Sequence, residues 1–315
     1  MHKRLRQALG PAYPWLIKAK TSGPVRSAVA MTGAFAYRAA RREGGDRMVI
    51  DVATRMGLGA ILSEALLLEA WLEDEGLGGQ VISTSPLYSE HGEDCLATWF
   101  ERPTPAVGAA PLRGRAYEYL LTCRPAHRSL ERAQAMFARH FQPGEQLREA
   151  IDRAAGGIAA FDFAIHYRGT DKFLESGRVS GTAFLDLISA TIAEHGAREV
   201  FLATDEAAFA REVMARHPQV RFTRFDAGAV NPGEPRHFSD LPARDKALEA
   251  AVNIFLIARA PLCLRTSSYL STVAALANPA QQTITVNRTL SRDTPFPEFE
   301  LLEHEAAATK PREIV

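Results

Sequence analysis

The chain has 315 residues, 46% of them hydrophobic, and its 37 Lys and Arg balance its 37 Asp and Glu. That length accommodates two domains of ordinary size, each with enough apolar content for a core. A net charge of zero argues against a general nucleic-acid binder, because a phosphate backbone demands a basic excess.

Cys95, Cys123 and Cys263 match no CxxC spacing and cannot all pair, which fits a reducing compartment and no structural zinc. No apolar run is long enough to span a membrane, and residues 1–45 lack the apolar stretch of a secretory signal, so a soluble cytoplasmic protein is expected. Residues 1–46 read as a basic arm, with a helical pattern over Val25–Arg42. Residues 1–47 carry ten Lys or Arg against Glu43 and Asp46 alone, with Trp15 near the start. Such an arm either rests weakly on an anionic membrane surface or lies solvated beside its own domain.

Arg47–Thr54 is the first strong strand. A glycine-bearing turn, Arg55–Gly59, leads to helix Ala60–Glu73, whose Ile61, Ala65, Leu68 and Leu72 form a buried face. Gly57 and Gly59 allow a phosphate to approach backbone at a helix N-terminus, and are equally what a plain tight turn requires. Gln80–Thr84 is the next strand. Pro86–Arg124 has no clean period and is expected to be irregular with short helices, a surface suited to a variable acceptor site. Ser129–His140 and Glu145–Arg153 are amphipathic helices leading to the Gly156-Gly157 break. The boundary is placed there, giving an N-terminal α/β domain over 47–155, a second α/β domain over 156–290 and a Glu-rich tail over 291–315. The tail offers little core beyond Phe296, Phe299 and Leu301.

In the second half, Phe161, Phe163 and Ile165 alternate with Asp162, Ala164 and His166 in a strand that ends in a charged turn. Helix Gly181–His195, strand Glu199–Thr204, helix Glu206–His217 and strand Gln219–Phe225 follow. After a loop to Asp240 come helix Arg244–Arg259, strand Pro261–Arg265, helix Tyr269–Ala277 and strand Gln282–Val286. Strand–helix units of this length predict a parallel sheet covered on both faces, with ligands beyond the carboxyl ends of its strands. Three of those ends are polar: Arg168 with its neighbours, Thr204-Asp205-Glu206, and Thr266-Ser267-Ser268. The hydroxyl and carboxylate groups can serve as helix caps alone, and Arg168 can simply pair with Asp171 at the surface. A capped helix still offers N–H groups to a phosphate, however, and caps do not account for Arg168. No GxGxxG after a strand, GxxxxGK[ST] or HExxH occurs, which argues against dehydrogenase, P-loop and metalloprotease chemistry.

His166-Tyr167-Arg168-Gly169-Thr170-Asp171-Lys172 resembles the HxRRxDK signature of GDP-fucose-dependent fucosyltransferases, in particular the α1,6-fucosyltransferases and their rhizobial nodulation-protein relatives. Thr204-Asp205-Glu206 resembles that family's (S/A)TDD element and Ser267-Ser268 its SS element, after a similar helix over Ala243–Ala260. The resemblance spans roughly residues 47–75 and 158–277. It implies a GT-B-like layout of two Rossmann-like domains with the donor site in the C-terminal one. It also implies an inverting glycosyltransferase that moves fucose from GDP-fucose, the donor substrate, to a hydroxyl of a glycan or glycoconjugate. Neither acidic cluster, Glu73–Glu75 or Glu90–Asp94, has the Asp-x-Asp form after a strand that metal-dependent glycosyltransferases use, so no metal or other cofactor is expected.

By the same resemblance Arg168 holds the β-phosphate, its planar fork matching two oxygens, and Gly57 and Gly59 face the diphosphate. Lys172, Thr204, Asp205, Ser267 and Ser268 belong to the donor site, His166 lies beside the guanine, and Asn253 aligns with an aspartate that reads the guanine amino edge. The catalytic base is Asp171 or Glu175. Two departures stand out. Gly169 replaces a second arginine, so the missing charge must come from Lys172, Arg178 or Arg265, and Asn253 loses a charge-assisted pair. They leave two other readings: a glycosyltransferase of this fold with another nucleotide-sugar donor, and a non-catalytic relative that binds nucleotide or sugar.

Overall fold

The computed structural model describes residues 23–44, 47–102, 112–113, 119–121, 128–168, 181–227, 239–287 and 294–309. Helix α1, Gly23–Gly44, leads into strand β1, Arg47–Asp51, which pairs in parallel with β2, Gly78–Ile82, through the crossover helix α2, Leu58–Asp74. Every residue of α2 from Leu58 to Leu72 except Glu64 is buried, as its all-round apolar sequence requires. The one buried charge, Glu69, accepts from the Val81 amide at 3.0 Å and pairs with Arg102. The short helix α3, Cys95–Trp99, starts at Asp94, whose carboxylate accepts from the amides of Leu96 and Ser83. Thus the last residue of the acidic stretch Glu90–Asp94 is structural. Helix α4, Leu130–His140, is capped by Ser129, and α5, Glu145–Ala155, ends on Gly156 at φ 57°, the left-handed cap that glycine supplies.

The second sheet contains β3, Phe163–Tyr167; β4, Glu199–Thr204; β5, Arg221–Thr223; β6, Leu262–Arg265; and β7, Gln282–Thr285. These pair in parallel in the order β5-β4-β3-β6-β7, so β3 is central and the chain reverses its direction of travel between β3 and β6. Helices α6, Gly181–His195, and α7, Ala207–Arg216, cover one face, where Phe163, Ile165 and Tyr167 pack with Phe184 and Phe209. Tyr167 stacks on Phe209 with ring centroids 3.9 Å apart. Helices α8, Ala243–Ala258, and α9, Tyr269–Ala277, cover the other face, and their core runs from Ala164 through Ile254 and Val273 to Leu62 and Ile50. A single apolar core therefore joins the five-stranded sheet to α2 and the β1–β2 pair.

The Glu-rich end, expected to add little core beyond Phe296, Phe299 and Leu301, forms helix α10, Glu298–Thr309, with Leu301 and Leu302 buried. Its anchors are polar, which is why apolar periodicity did not reveal it. Glu298 pairs with Arg265 and Thr272, and Glu305 accepts from the Thr285 hydroxyl at 2.8 Å. No helix among the described residues is long and apolar enough to cross a membrane.

Candidate functional site

A cleft opens beyond the carboxyl ends of β3 and β4. It lies where the strand order reverses, the usual ligand crevice of an open parallel sheet. The first turns of α2 and α9 and one face of α8 complete its wall. Of the residues singled out from sequence, Gly57, Gly59, His166, Arg168, Thr204, Asp205, Asn253 and Ser268 all line it. Ser267 does not; its amide is committed to Asn287 Oδ1 at 2.7 Å. Asp171, Lys172, Glu175 and Arg178 lie outside the described residues.

The two glycines have different reasons to be there. A Cβ on Gly59 would stand 2.7 Å from Leu270 N and 2.8 Å from Tyr269 C, so α2 and α9 meet backbone to backbone at their first turns. At Gly57 the backbone has an ordinary φ of −63°, and the nearest atom to an added Cβ is Tyr88 Oη at 3.9 Å. Gly59 is thus demanded by packing, and Gly57 only by the space in front of it. The close approach brings two helix N-termini to one cleft, each equivalent to roughly half a positive charge. Two like partial charges so placed favour an anion between them. Leu58 N donates to Tyr88 Oη at 3.0 Å, and burial pushes the Tyr88 phenol far above its usual range, so it stays protonated.

Arg168 is held at this point by the sheet. Its amide donates to Thr266 Oγ1 at 2.9 Å, and the Thr266 amide donates to the His166 carbonyl at 2.9 Å, tying the ends of β3 and β6 together. Tyr167, facing the opposite side, anchors the strand in the aromatic core. Arg265 does not supply the charge missing at Gly169. It is 0% exposed and faces Glu298 and Thr272 under α10. Burial alone would raise the Glu298 carboxyl, but Arg265 and Thr272 outweigh it and hold the group below the usual glutamate range. Thr204 does not cap α7, which has no side-chain cap; its hydroxyl accepts from the Glu206 amide at 3.1 Å and closes the turn before that helix, while Ser268 caps α9 by accepting from Leu270 N.

Helix α8 adds residues that the sequence reading passed over. Lys246 and Glu249 line the cleft with Asn253, at the i, i+3, i+7 spacing of one helix face; that polar stripe in an apolar helix was the available signal. Lys246 Nζ donates to the Ser239 carbonyl at 3.2 Å, and burial lowers its pKa. Glu249 accepts from the Ala227 amide at 2.7 Å. Among the described residues, no three His, Cys, Asp or Glu side chains are grouped to hold a metal ion.

No family model and no curated protein matches the chain. Among solved structures, fucosyltransferase NodZ from Bradyrhizobium aligns at a TM-score of 0.52 and 14% identity, covering 76% of this chain and 96% of that one. The NodZ α1,6-fucosyltransferase soaked with GDP-fucose aligns at a TM-score of 0.50 and 14% identity, covering 74% and 93%. At such identities the likeness is one of architecture, and the chain has the fold of the fucosyltransferase NodZ.

Proposed function

We propose that the chain is a glycosyltransferase that moves fucose from GDP-fucose to a hydroxyl of a glycan or glycoconjugate, with inversion and without a metal. In this reading the arrangement is GT-B-like, with two domains and the donor site in the C-terminal one. The observation that carries it is the convergence of Arg168 with the N-termini of α2 and α9 on one cleft at the strand-order reversal. A departing diphosphate needs fixed positive charge, and Arg168 with backbone N–H groups supplies it without a cation. The acceptor oxygen attacks the anomeric carbon from the face opposite the diphosphate. The new C–O bond forms as the bond to the β-phosphate oxygen breaks; GDP leaves with the electron pair, and the acceptor proton passes to Asp171 or Glu175. Asn253 and His166 both line the cleft and, in this reading, are the residues that meet the nucleobase. The buried free thiols of Cys95 and Cys263 fit a reducing compartment such as the cytoplasm.

A thermal-shift panel of GDP, GDP-fucose, UDP and ADP, each with and without EDTA, tests this. A true donor at one hundred times its dissociation constant stabilises by about 2.7 kcal/mol. Stabilisation by GDP and GDP-fucose that EDTA leaves unchanged is expected. No nucleotide effect, or one abolished by EDTA, would defeat the assignment, and preference for another nucleotide would move it to a different donor.

A further inference from the structure

Helix α1 has two opposed faces over residues 31–42. Gly33, Tyr37 and Ala40, at the i, i+4, i+7 spacing of one helix face, turn inward. Tyr37 meets Trp71 edge-on with ring centroids 5.8 Å apart, and both Tyr37 and Ala40 pack against the core that α2 shares with the sheets. Met31, Phe35, Arg38 and Arg42 keep the same spacing on the opposite side, and all four are exposed. Of the three large apolar side chains exposed among the described residues, two stand here, Met31 at 69% and Phe35 at 77%. The outward face is thus an apolar pair followed by a pair of arginines. No described carboxylate pairs with Arg38 or Arg42. The first acidic residue of the chain is Glu43, after nine Lys and Arg, so nothing nearby in sequence offsets that charge.

We propose that this face of α1 docks on an anionic lipid surface, with Met31 and Phe35 entering between the headgroups and Arg38 and Arg42 meeting lipid phosphates. A face that is apolar and cationic at once fits a partner that is apolar and anionic at once. A helix lying in the interface plane buries its apolar side chains at the acyl boundary and gains from anionic lipid, while arginine stems lie along apolar surface with their guanidinium groups at headgroup level. The arm over residues 1–22 is a poorer occupant, because its five Lys and Arg and no acid would set like charges together. A second copy of α1 brings four more arginines with Glu43 alone to meet them. None of the four outward residues lines the cleft, so the inference stands apart from the donor assignment.

Co-sedimentation of the full chain with phosphatidylcholine vesicles, with and without about one-third phosphatidylserine, tests this. The wild type is expected to partition onto the anionic vesicles at least about tenfold more strongly than onto the neutral ones. Arg38→Gln combined with Arg42→Gln should weaken anionic binding by on the order of tenfold to thirtyfold, about fivefold for each cation, and leave neutral binding nearly unchanged. Met31→Ser combined with Phe35→Ser should weaken anionic binding by about tenfold while keeping the preference for anionic lipid. Both variants should melt with the wild type, since all four side chains are exposed; a clear fall in Tm would mean that this face is packed, and would overturn the proposal. So would a wild type that binds neither vesicle or both equally, and so would either variant binding at full strength, which would assign the contact to another surface. A wild type that self-associates in lipid-free buffer, and that Phe35→Ser returns to monomer in sedimentation velocity, would give the face to a second copy and refute the lipid assignment.

Discussion

Gly59→Ala should destabilise the protein, against the usual trend for such a change. In a helix, glycine to alanine gains about 0.5–1 kcal/mol because alanine has less backbone entropy to lose. Here the new methyl carbon would lie 2.7 Å from Leu270 N, 2.8 Å from Tyr269 C and 3.0 Å from Leu270 Cα. Ordinary contacts fall at about 3.5–4.0 Å, so relief demands a shift of roughly 0.5–1 Å. All three atoms are backbone in the first turn of α9, and that helix cannot retreat because Val273, Ala274 and Leu276 are buried behind it. Overpacking costs about 1–3 kcal/mol, and a backbone clash belongs at the upper end, so a net loss of about 2 kcal/mol is expected. Differential scanning calorimetry should register a fall in Tm of about 3 °C. Gly57→Ala, with no atom nearer than 3.9 Å to its new carbon, should melt like the wild type while crowding the cleft. An unchanged or raised Tm for Gly59→Ala would mean that α2 and α9 do not meet at their first turns, and the converging helix termini would go with it.

Other outcomes follow from the same geometry. Arg168→Ala should lower transfer by on the order of a hundredfold to a thousandfold with unchanged Tm, as loss of one preorganised donor to developing charge does, and Arg168→Lys should not restore full rate. Glu298→Gln leaves buried Arg265 without its counter-charge and should cost about 3–5 kcal/mol in chemical denaturation. Because Glu298 titrates below its unfolded value, its contribution is complete above about pH 4.3 and is lost as pH falls through the folded value. The variant's stability should accordingly fall less steeply in that acid window. Cys95 and Cys263, whose thiols burial pushes up to about 12, should resist maleimide in the native protein and react on unfolding.

Much of the second sheet was legible because its strands are short apolar runs separated by helices of clear length. Helices Gly181–His195 and Tyr269–Ala277 and strand Glu199–Thr204 have the bounds that the sequence implies. The polar strand ends were legible for the same reason: a charged residue just past a buried run has nowhere to go but the sheet's edge. Arg265 shows the limit of that logic. It shares strand parity with buried Cys263, so period two turns it into the core under α10 and not into the cleft. Tyr88 was invisible for another reason, since it sits in an aperiodic stretch and acts on the Leu58 amide thirty residues away. Glu249 and Lys246 look like solvent-facing charges of an amphipathic helix until the sheet and α2 close over that face.

The central claim is that Arg168 and two helix N-termini form a metal-free diphosphate site. It is tested most directly by calorimetric titration of GDP into the wild type and Arg168→Ala, both in EDTA. One GDP per chain is expected to bind the wild type with an affinity indifferent to EDTA, and Arg168→Ala should bind at least about tenfold more weakly, the scale of a lost charge-assisted contact. Equal GDP affinity in the two proteins would contradict the account, because the guanidinium at the end of β3 would then play no part in holding the diphosphate.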